Sequence, residues 1–411
     1  MKIIGYNSSH ETSLCQFDTD TWEIDFLYEE ERFRRVKWFA PSDHPENAQL
    51  LCIERNKVQT PEHFIGCSFD RRGWQIQWKE EEFKYDKVLQ RKILKFLSAE
   101  ALSTTRYKEV VEEFREYIHE PDEFLKALEG EEGNTKHHPN VLPPDFCHTQ
   151  TDDNLHGQVA DQLDLDEFHY EIQHHMYHAE CGYWFSPWRE KENAIAIVMD
   201  GGGCQPYFNE YPNYQEVETV YLCQPDTVPT KQYQRLSNYR VNNDQGSIYF
   251  NEMGLGKIHC EKDVHEERDG AEIVFSSWPS MGMSFSAQSL YSGFDKLGRS
   301  AGKVMGAASY HEWKETPEGY SDWSTHSWAN QLQQRSFEFT CNLLQKAIDL
   351  NPDVPNIILS GGFALNCTNN AKYLERFPNH QFFVDPVAHD GGTAVGGAIR
   401  LARGILQGDD I

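Results

Sequence analysis

One pattern occurs twice in the chain, and it limits the possible folds more than any other feature. Lys2–Asn7 (KIIGYN) is a short apolar run ending in a polar turn, followed by Ser13–Phe17 and the alternating segment Trp22–Glu29. Short runs of this kind between polar turns read as three strands of a meander. The pattern returns at Ala194–Asp200 (AIAIVMD), which runs into Gly201-Gly202-Gly203, then Pro206–Glu210 and Val217–Cys223. Strand, turn, strand, turn, strand, met once in each half, suggests an α/β protein of two lobes on one plan, although any mixed α/β protein supplies short strands. A chain of 411 residues is long enough to give each lobe a core. The first lobe is expected over 1–190 and the second over 191–411, with the last helix free to return to the first.

The remaining segments fill in around the meanders. Glu82–Glu120 carries apolar residues near helical spacing with charge on its other faces, which predicts a helical insert over 82–165. Gly130–Asp153 is polar and contains proline, and reads as a long loop. Phe168, Tyr170 and Ile172 alternate, so a strand leads into a histidine cluster. Residues 225–279, rich in Asn, Asp and Pro, read as an insertion in the second lobe. Trp328–Leu350 is an amphipathic helix ending before Asn351-Pro352, and Asn356–Ser360 (NIILS) is a buried strand opening onto Gly361-Gly362.

Composition excludes several function classes. Asp and Glu number 65 against 38 Lys and Arg, for a net charge of −27. Binding a phosphate backbone requires a basic surface, so the chain alone is a poor partner for duplex nucleic acid. No apolar run approaches the roughly 20 residues of a membrane span, and MKIIGYNSSHETS has no signal-peptide core. The 10 cysteines are scattered without a CxxC, which points to a reducing, cytoplasmic setting. GxGxxG, GxxxxGK[ST] and HExxH are all absent.

Chemistry-bearing residues concentrate at turns. In QHHMYHAECGYWFSP, His174 and His178 stand four apart, so on a helix both imidazoles leave one face and can share a metal ion. A surface or core histidine pair has the same spacing. His389-Asp390-Gly391-Gly392 follows a strand (Gln381–Val384) and opens a small-residue helix. That places a carboxylate and backbone N–H groups at one point, as a metal beside phosphates requires, although a tight turn before a close-packed helix fits equally. Asp200-Gly201-Gly202-Gly203 has the same logic, with an ordinary hairpin turn as its alternative. Gly361, Gly362 and Asn366 lie in SGGFALN, a turn suited either to a ribose or adenine or to a helix start. Lys303, in GKVMG, can pair with a phosphate or lie along the surface.

Six blocks, in order along the chain, resemble the NodU/CmcH-type O-carbamoyltransferases. Asn7–Ser13 resembles the family's strand turn ending in HDAS, and Glu29–Lys37 (EEERFRRVK) its EEERF segment. His174–Pro187 is similar to HHxxHAxSAYxxSPF, Gly302–Tyr310 (GKVMGAASY) to EGKVMGLASYG, Ser360–Cys367 (SGGFALNC) to SGGVALNC, and His389–Ala398 to GDxGTALGAA. The resemblance implies a two-lobed actin-like ATPase architecture with a duplicated RNase H-like core (the ASKHA class), the first turn of each lobe facing the phosphates. It implies a divalent metal, iron(II) or magnesium, between the lobes beside ATP or a carbamoyl-adenylate, with carbamoyl phosphate as the donor. On this carry-over His174, His178 and Asp390 are metal ligands and Asp200 is a fourth. His10 falls at the histidine that assists transfer, where a neutral imidazole accepts the acceptor hydroxyl's proton. Lys37, Gly201, Gly202, Lys303, Gly361, Gly362 and Asn366 fall in nucleotide- or carbamoyl-contacting segments.

The sequence also departs from the family. Ala301 stands where Glu usually precedes the GK, Trp38 replaces a His, His389 replaces a Gly, and Glu180 and Cys181 alter the histidine block. Family members continue into a YrdC-like domain that makes the adenylate, whereas this sequence stops at Ile411. The expectation is a separate YrdC-like subunit, unless the donor binds differently or activity is lost. The expected acceptor is a hydroxyl on a small natural product, such as a cationic aminoglycoside, or on a hydroxymethylated pyrimidine in a nucleotide or phage DNA. Competing readings are a nucleotide-binding subunit without chemistry of its own, and threonylcarbamoyl transfer to tRNA.

Overall fold

The computed structural model describes residues 1–9, 11–36, 49–67, 112, 115, 122, 159–165, 169–170, 173–204, 206–207, 214–237, 263–276, 278–294, 300–310 and 325–407. His10, Lys37, most of the helical reading over 82–165 and the loop over 130–153 lie outside the described residues.

The first half contributes β1 (Lys2–Asn7), β2 (Ser13–Asp18), β3 (Glu23–Glu29), α1 (Glu30–Arg34), α2 (Leu51–Asn56), β4 (His63–Gly66), β5 (His169–Tyr170) and α3 (His174–Phe185). Its sheet has the order β3-β2-β1-β4-β5. The first three strands pair antiparallel, with Lys2 opposite Asp18 and Asn7 opposite Ser13, and β4 and β5 then add in parallel. β1 is central and buried along almost its whole length, whereas β3, at the edge, carries exposed Glu23 and Asp25 between half-buried Ile24 and Phe26. The apolar run of one and the alternation of the other follow from those positions.

The second half adds β6 (Ala194–Met199), β7 (Gln215–Cys223), β8 (Thr230–Ser237), β9 (Val264–Arg268), β10 (Ala271–Ser276), α4 (Met281–Tyr291), α5 (Ala301–Ala308), α6 (Thr325–Leu350), β11 (Asn356–Ser360), α7 (Cys367–Arg376), β12 (Gln381–Val384) and α8 (Thr393–Gln407). Its sheet runs β12-β11-β6-β7-β8-β10-β9. β6, β7 and β8 form an antiparallel meander, and β11 and β12 join β6 in parallel. Five strands thus repeat the order and directions of the first sheet, and β10 and β9 extend the far edge. Two sheets with one shared strand order define the duplicated RNase H-like, actin-like ATPase architecture. One detail differs from the sequence reading: the third strand of the second meander is β8, from the stretch taken as an insertion. The β6–β7 connection takes in Pro206 and Tyr207, which form a turn.

α3 lies between the two halves. Tyr177, Cys181 and Trp184 share the core of Ile3, Cys15 and Phe17 on the first sheet. Ala179 and Tyr183 pack with Ala194, Ala196 and Val198 of β6 on the second. Spacings of three and four residues put each set on its own helix face, so the helix is buried almost all round, its histidines and Glu180 included. α8 packs on β1, β2 and β4 and crosses α3. A Cβ at Gly396 would sit 1.9 Å from the Tyr177 carbonyl oxygen, so the two helices touch backbone to backbone. Among the described residues no helix is long and apolar enough to cross a membrane, and all eight described cysteines are free.

Candidate metal centre

The end of β6, the start of α3 and the turn before α8 converge. His174 and His178, one helical turn apart at the N-terminal end of α3, bring their Nε2 atoms to 3.2 Å. Asp200, directly after β6, places Oδ2 3.2 Å from His174 Nε2. Asp390, opening a single 3-10 turn ahead of α8, places Oδ1 3.7 Å from His174 Nε2 and 3.8 Å from His178 Nε2. All four side chains are buried, and their ligand atoms lie within 4.8 Å of one another.

Each side chain is aimed by contacts of its own. Asp200 Oδ1 accepts the backbone N–H of Gly362 at 3.1 Å, which leaves Oδ2 for the cluster. Gly361, just before, has φ +85, and a Cβ there would meet the Met199 carbonyl oxygen at 2.4 Å. Only glycine lets this turn lie against the end of β6. Asn7 Nδ2 donates to the Asp390 carbonyl at 3.0 Å, and Ser13 Oγ donates to that of Gly391 at 2.8 Å. The ends of β1 and β2 thereby hold the Asp390 turn.

The donor set fits a divalent ion. Ligand atoms about 2.1 Å from one metal stand about 3.0 Å apart at a right angle and about 3.4 Å apart in a tetrahedron. The four separations that involve His174 or join His178 to Asp390, 3.2 to 3.8 Å, lie near those values. Two buried carboxylates facing two imidazoles form an electron-rich pocket that a cation neutralises. Burial and the charge of Asp390 both act to raise the Asp200 pKa, and His174 and His178 overcome them, leaving it below the ordinary value. Burial works against a charged His174, but its bond to Asp200 and the charge of Asp390 prevail and raise its pKa.

His175 points away from the cluster. Its Nδ1 meets Thr219 Oγ1 at 2.7 Å, and burial holds its pKa well below the usual value, so the ring is neutral at physiological pH. Gln234 joins Thr219 to Glu216 through Nε2, at 3.2 and 2.8 Å. The Asp200 turn is steadied from outside as well, because Ser280 Oγ donates to the Gly201 carbonyl at 2.8 Å. The segment before α4 that carries Ser280 is fixed by Arg235. This guanidinium pairs bidentately with buried Glu218, at 2.6 and 3.0 Å, and donates to the Trp278 and Pro279 carbonyls.

Of the residues singled out in the sequence, His174, His178, Asp200 and Asp390 come together, with Gly361 and Gly362 attached through Asp200. Gly201 and Gly202 form the turn after Asp200. Lys303 is exposed on α5 and donates to the Phe294 carbonyl at 3.1 Å. Asn366 caps α7 and exchanges hydrogen bonds with Gln333, at 2.8 and 3.2 Å, so its amide is used within the fold. His10 and Lys37 are outside the described residues.

Sequence reading passed over a second set of residues at the rim. His389 Nδ1 lies 3.1 Å from Glu11 Oε2, and its Nε2 lies 3.1 Å from Glu29 Oε1. Burial opposes charge on His389, and the two acids outweigh it, raising its pKa to about 10. Glu29 is lowered to about 2, His389 being the largest cause and Arg32 adding to it. The doubly protonated ring donates to both acids in preference to accepting the Gly391 N–H, which lies 3.1 Å from Nδ1. The one signal in the sequence was that a histidine stood where the resembled family has glycine.

Fold and site together define a duplicated two-lobed α/β protein with a buried His/Asp centre between its halves. Residues 324–399, which include the Asp390 turn and both glycines of the Asp200 contact, match the family model "Carbamoyltransferase N-terminus". That match and the order of the motifs support a carbamoyltransferase family. Comparison with curated protein sequences gives no match. Solved structures similar to the chain include full-length HypF in its phosphate- and nucleotide-bound form, 14% identical with a TM-score of 0.39, covering 62% of this chain and 50% of that one. The chain therefore spans half the length of that relative. A ROK family protein from Streptococcus pneumoniae TIGR4 in complex with sucrose is 10% identical, with a TM-score of 0.43 and coverage of 99% and 100%. The activator of 2-hydroxyisocaproyl-CoA dehydratase from Clostridium difficile with bound ADPNP is 7% identical, with a TM-score of 0.42 and coverage of 100% and 99%. At these scores the fold assignment rests on strand order and pairing.

Proposed function

We propose that the chain is the transfer core of an O-carbamoyltransferase, moving a carbamoyl group from carbamoyl-adenylate to an acceptor hydroxyl. The observation that carries this reading is the convergence of His174, His178, Asp200 and Asp390 where the two repeated halves meet. The family-model match over 324–399 supports the class of reaction. His174, His178 and Asp390 would hold a divalent ion, iron(II) being the first candidate and magnesium the second, with Asp200 as a further ligand. A bound cation there supplies charge to offset an adenylate phosphate. In the transfer, the acceptor oxygen forms a bond to the carbamoyl carbon, the bond from that carbon to the phosphate oxygen breaks, and AMP leaves. His10 takes the hydroxyl proton, a role carried by the motif resemblance. The motif resemblance assigns the glycine turns at Gly201-Gly202 and Gly361-Gly362, and Lys37 and Lys303, to the nucleotide and its phosphates, for which Lys303 would have to leave the Phe294 carbonyl.

The test supplies the chain with carbamoyl phosphate, ATP and a YrdC-like adenylate-forming protein, and in parallel with synthetic carbamoyl-adenylate. Aminoglycosides, hydroxymethylated pyrimidine nucleotides and DNA containing them serve as acceptors. A mass gain of one carbamoyl group on an acceptor, lost in His174→Ala, is the expected result. No gain on any acceptor, with the adenylate shown to be present, contradicts the reading and favours a subunit without chemistry of its own.

A further inference from the structure

His389 has carboxylates at both ring nitrogens, and the two acids come from separate parts of the first half. Glu11 lies in the turn between β1 and β2, and Glu29 ends β3, each 3.1 Å from the ring. Glu11 Oε2 also accepts the backbone N–H of Asp390 at 3.0 Å. Glu29 is held in turn, since its Oε2 accepts from Arg32 Nε at 2.7 Å. With Asn7 and Ser13 on the next two carbonyls, the backbone on both sides of the Asp390 carboxylate is tied to the first sheet. The ring of His389 bridges two elements, the β1–β2 turn through Glu11 and the end of β3 through Glu29.

We infer that His389 is a positioning residue, clamping the Asp390 turn between Glu11 and Glu29 so that the Asp390 carboxylate is fixed for divalent-ion binding. This rests on the reading of the four-residue cluster as a metal centre. A carboxylate on a three-residue turn keeps freedom that costs affinity when an ion must select one orientation. Contacts behind a ligand remove that freedom beforehand and are worth about 10- to 100-fold in metal affinity. Glu11 also follows His10 directly, so the clamp ties the ligand turn to the segment assigned to proton transfer.

Cobalt(II), whose visible bands report ligand geometry, is titrated into the full chain and into its His389→Ala, Glu29→Gln and His174→Ala variants. Each metal-free protein is also melted. The full chain is expected to bind one ion and His174→Ala none. His389→Ala should bind about tenfold more weakly, with altered bands and a metal-free melting transition close to that of the full chain. Glu29→Gln, which keeps the shape of the clamp and removes one charge, should move affinity the same way by less, and it carries the test alone should His389→Ala not fold. Unchanged affinity and bands in both variants would overturn the clamp and leave the metal centre standing. Weaker binding with unchanged bands and a lowered melting transition also overturns it, because that is the mark of a structural role. Failure of the full chain to bind any ion overturns the metal centre, and the clamp with it.

Discussion

At the scale of single residues, the Asp200 carboxylate divides its labour between support and cluster. Asp200 gives one oxygen to Gly362 and one to His174. Farther out, the Arg235–Glu218 pair fixes the segment that braces the Asp200 turn, and both partners are buried. Burial is the largest influence on Glu218 and raises its pKa, with Arg235 opposing it. A carboxyl raised on folding contributes its stability below the unfolded pKa and loses it as pH rises through the folded value. Replacing Arg235 by Met leaves the charge uncompensated, so Arg235→Met should cost about 3–5 kcal/mol near neutrality. Because the charge pairing matters only when Glu218 is ionised, the deficit should shrink as pH falls toward 4.5, the ordinary glutamate value, leaving the pH-independent loss of the bonds to the Trp278 and Pro279 carbonyls. Urea unfolding of both proteins between pH 5 and 8 measures this, and a deficit independent of pH would contradict it. The four converging residues were legible in the sequence because histidines four apart and acids beside glycines are local signals. The Glu11–His389–Glu29 clamp was not, since its three members lie far apart in the chain and only folding joins them.

At the scale of elements, apolar strands announced themselves and polar ones did not. β6 and β11 are buried along their whole length and were readable as AIAIVM and NIILS. β8 (TKQYQRLS) was taken for part of an insertion because its buried positions include Gln234, Arg235 and Ser237. Those residues are satisfied by Glu216, Glu218 and backbone carbonyls of neighbouring segments, and that arrangement hides the hydrophobic alternation a strand usually shows. α3 hid its two-faced packing for a related reason: a helix wedged between two sheets buries its polar residues too, so its histidines and Glu180 mark no solvent face. The contact of α3 with α8 depends on the absence of a side chain at Gly396. Gly396→Val should push the two helices apart, lowering stability by about 1–3 kcal/mol. It should also weaken divalent-ion binding, because α3 carries both histidines and α8 begins just beyond Asp390. Melting and ion titration of that variant check both effects, and a fully stable variant would show that the helices can separate without strain.

At the scale of the whole molecule, the repeated meander foretold the architecture, and the second copy of the strand order makes the duplication plain. The motif resemblance put a divalent ion between the lobes, and the four residues named for it do come together where the halves meet. The centre takes His174 and His178 from between the halves, Asp200 from the second sheet, and Asp390 from a turn held by the first. The most direct test is the divalent-ion content of the chain purified without chelators and loaded anaerobically, compared with Asp390→Ala. Close to one ion per chain, falling to near zero in Asp390→Ala while that variant stays folded, is the predicted result. A folded wild-type chain that neither retains nor takes up a divalent ion would contradict it.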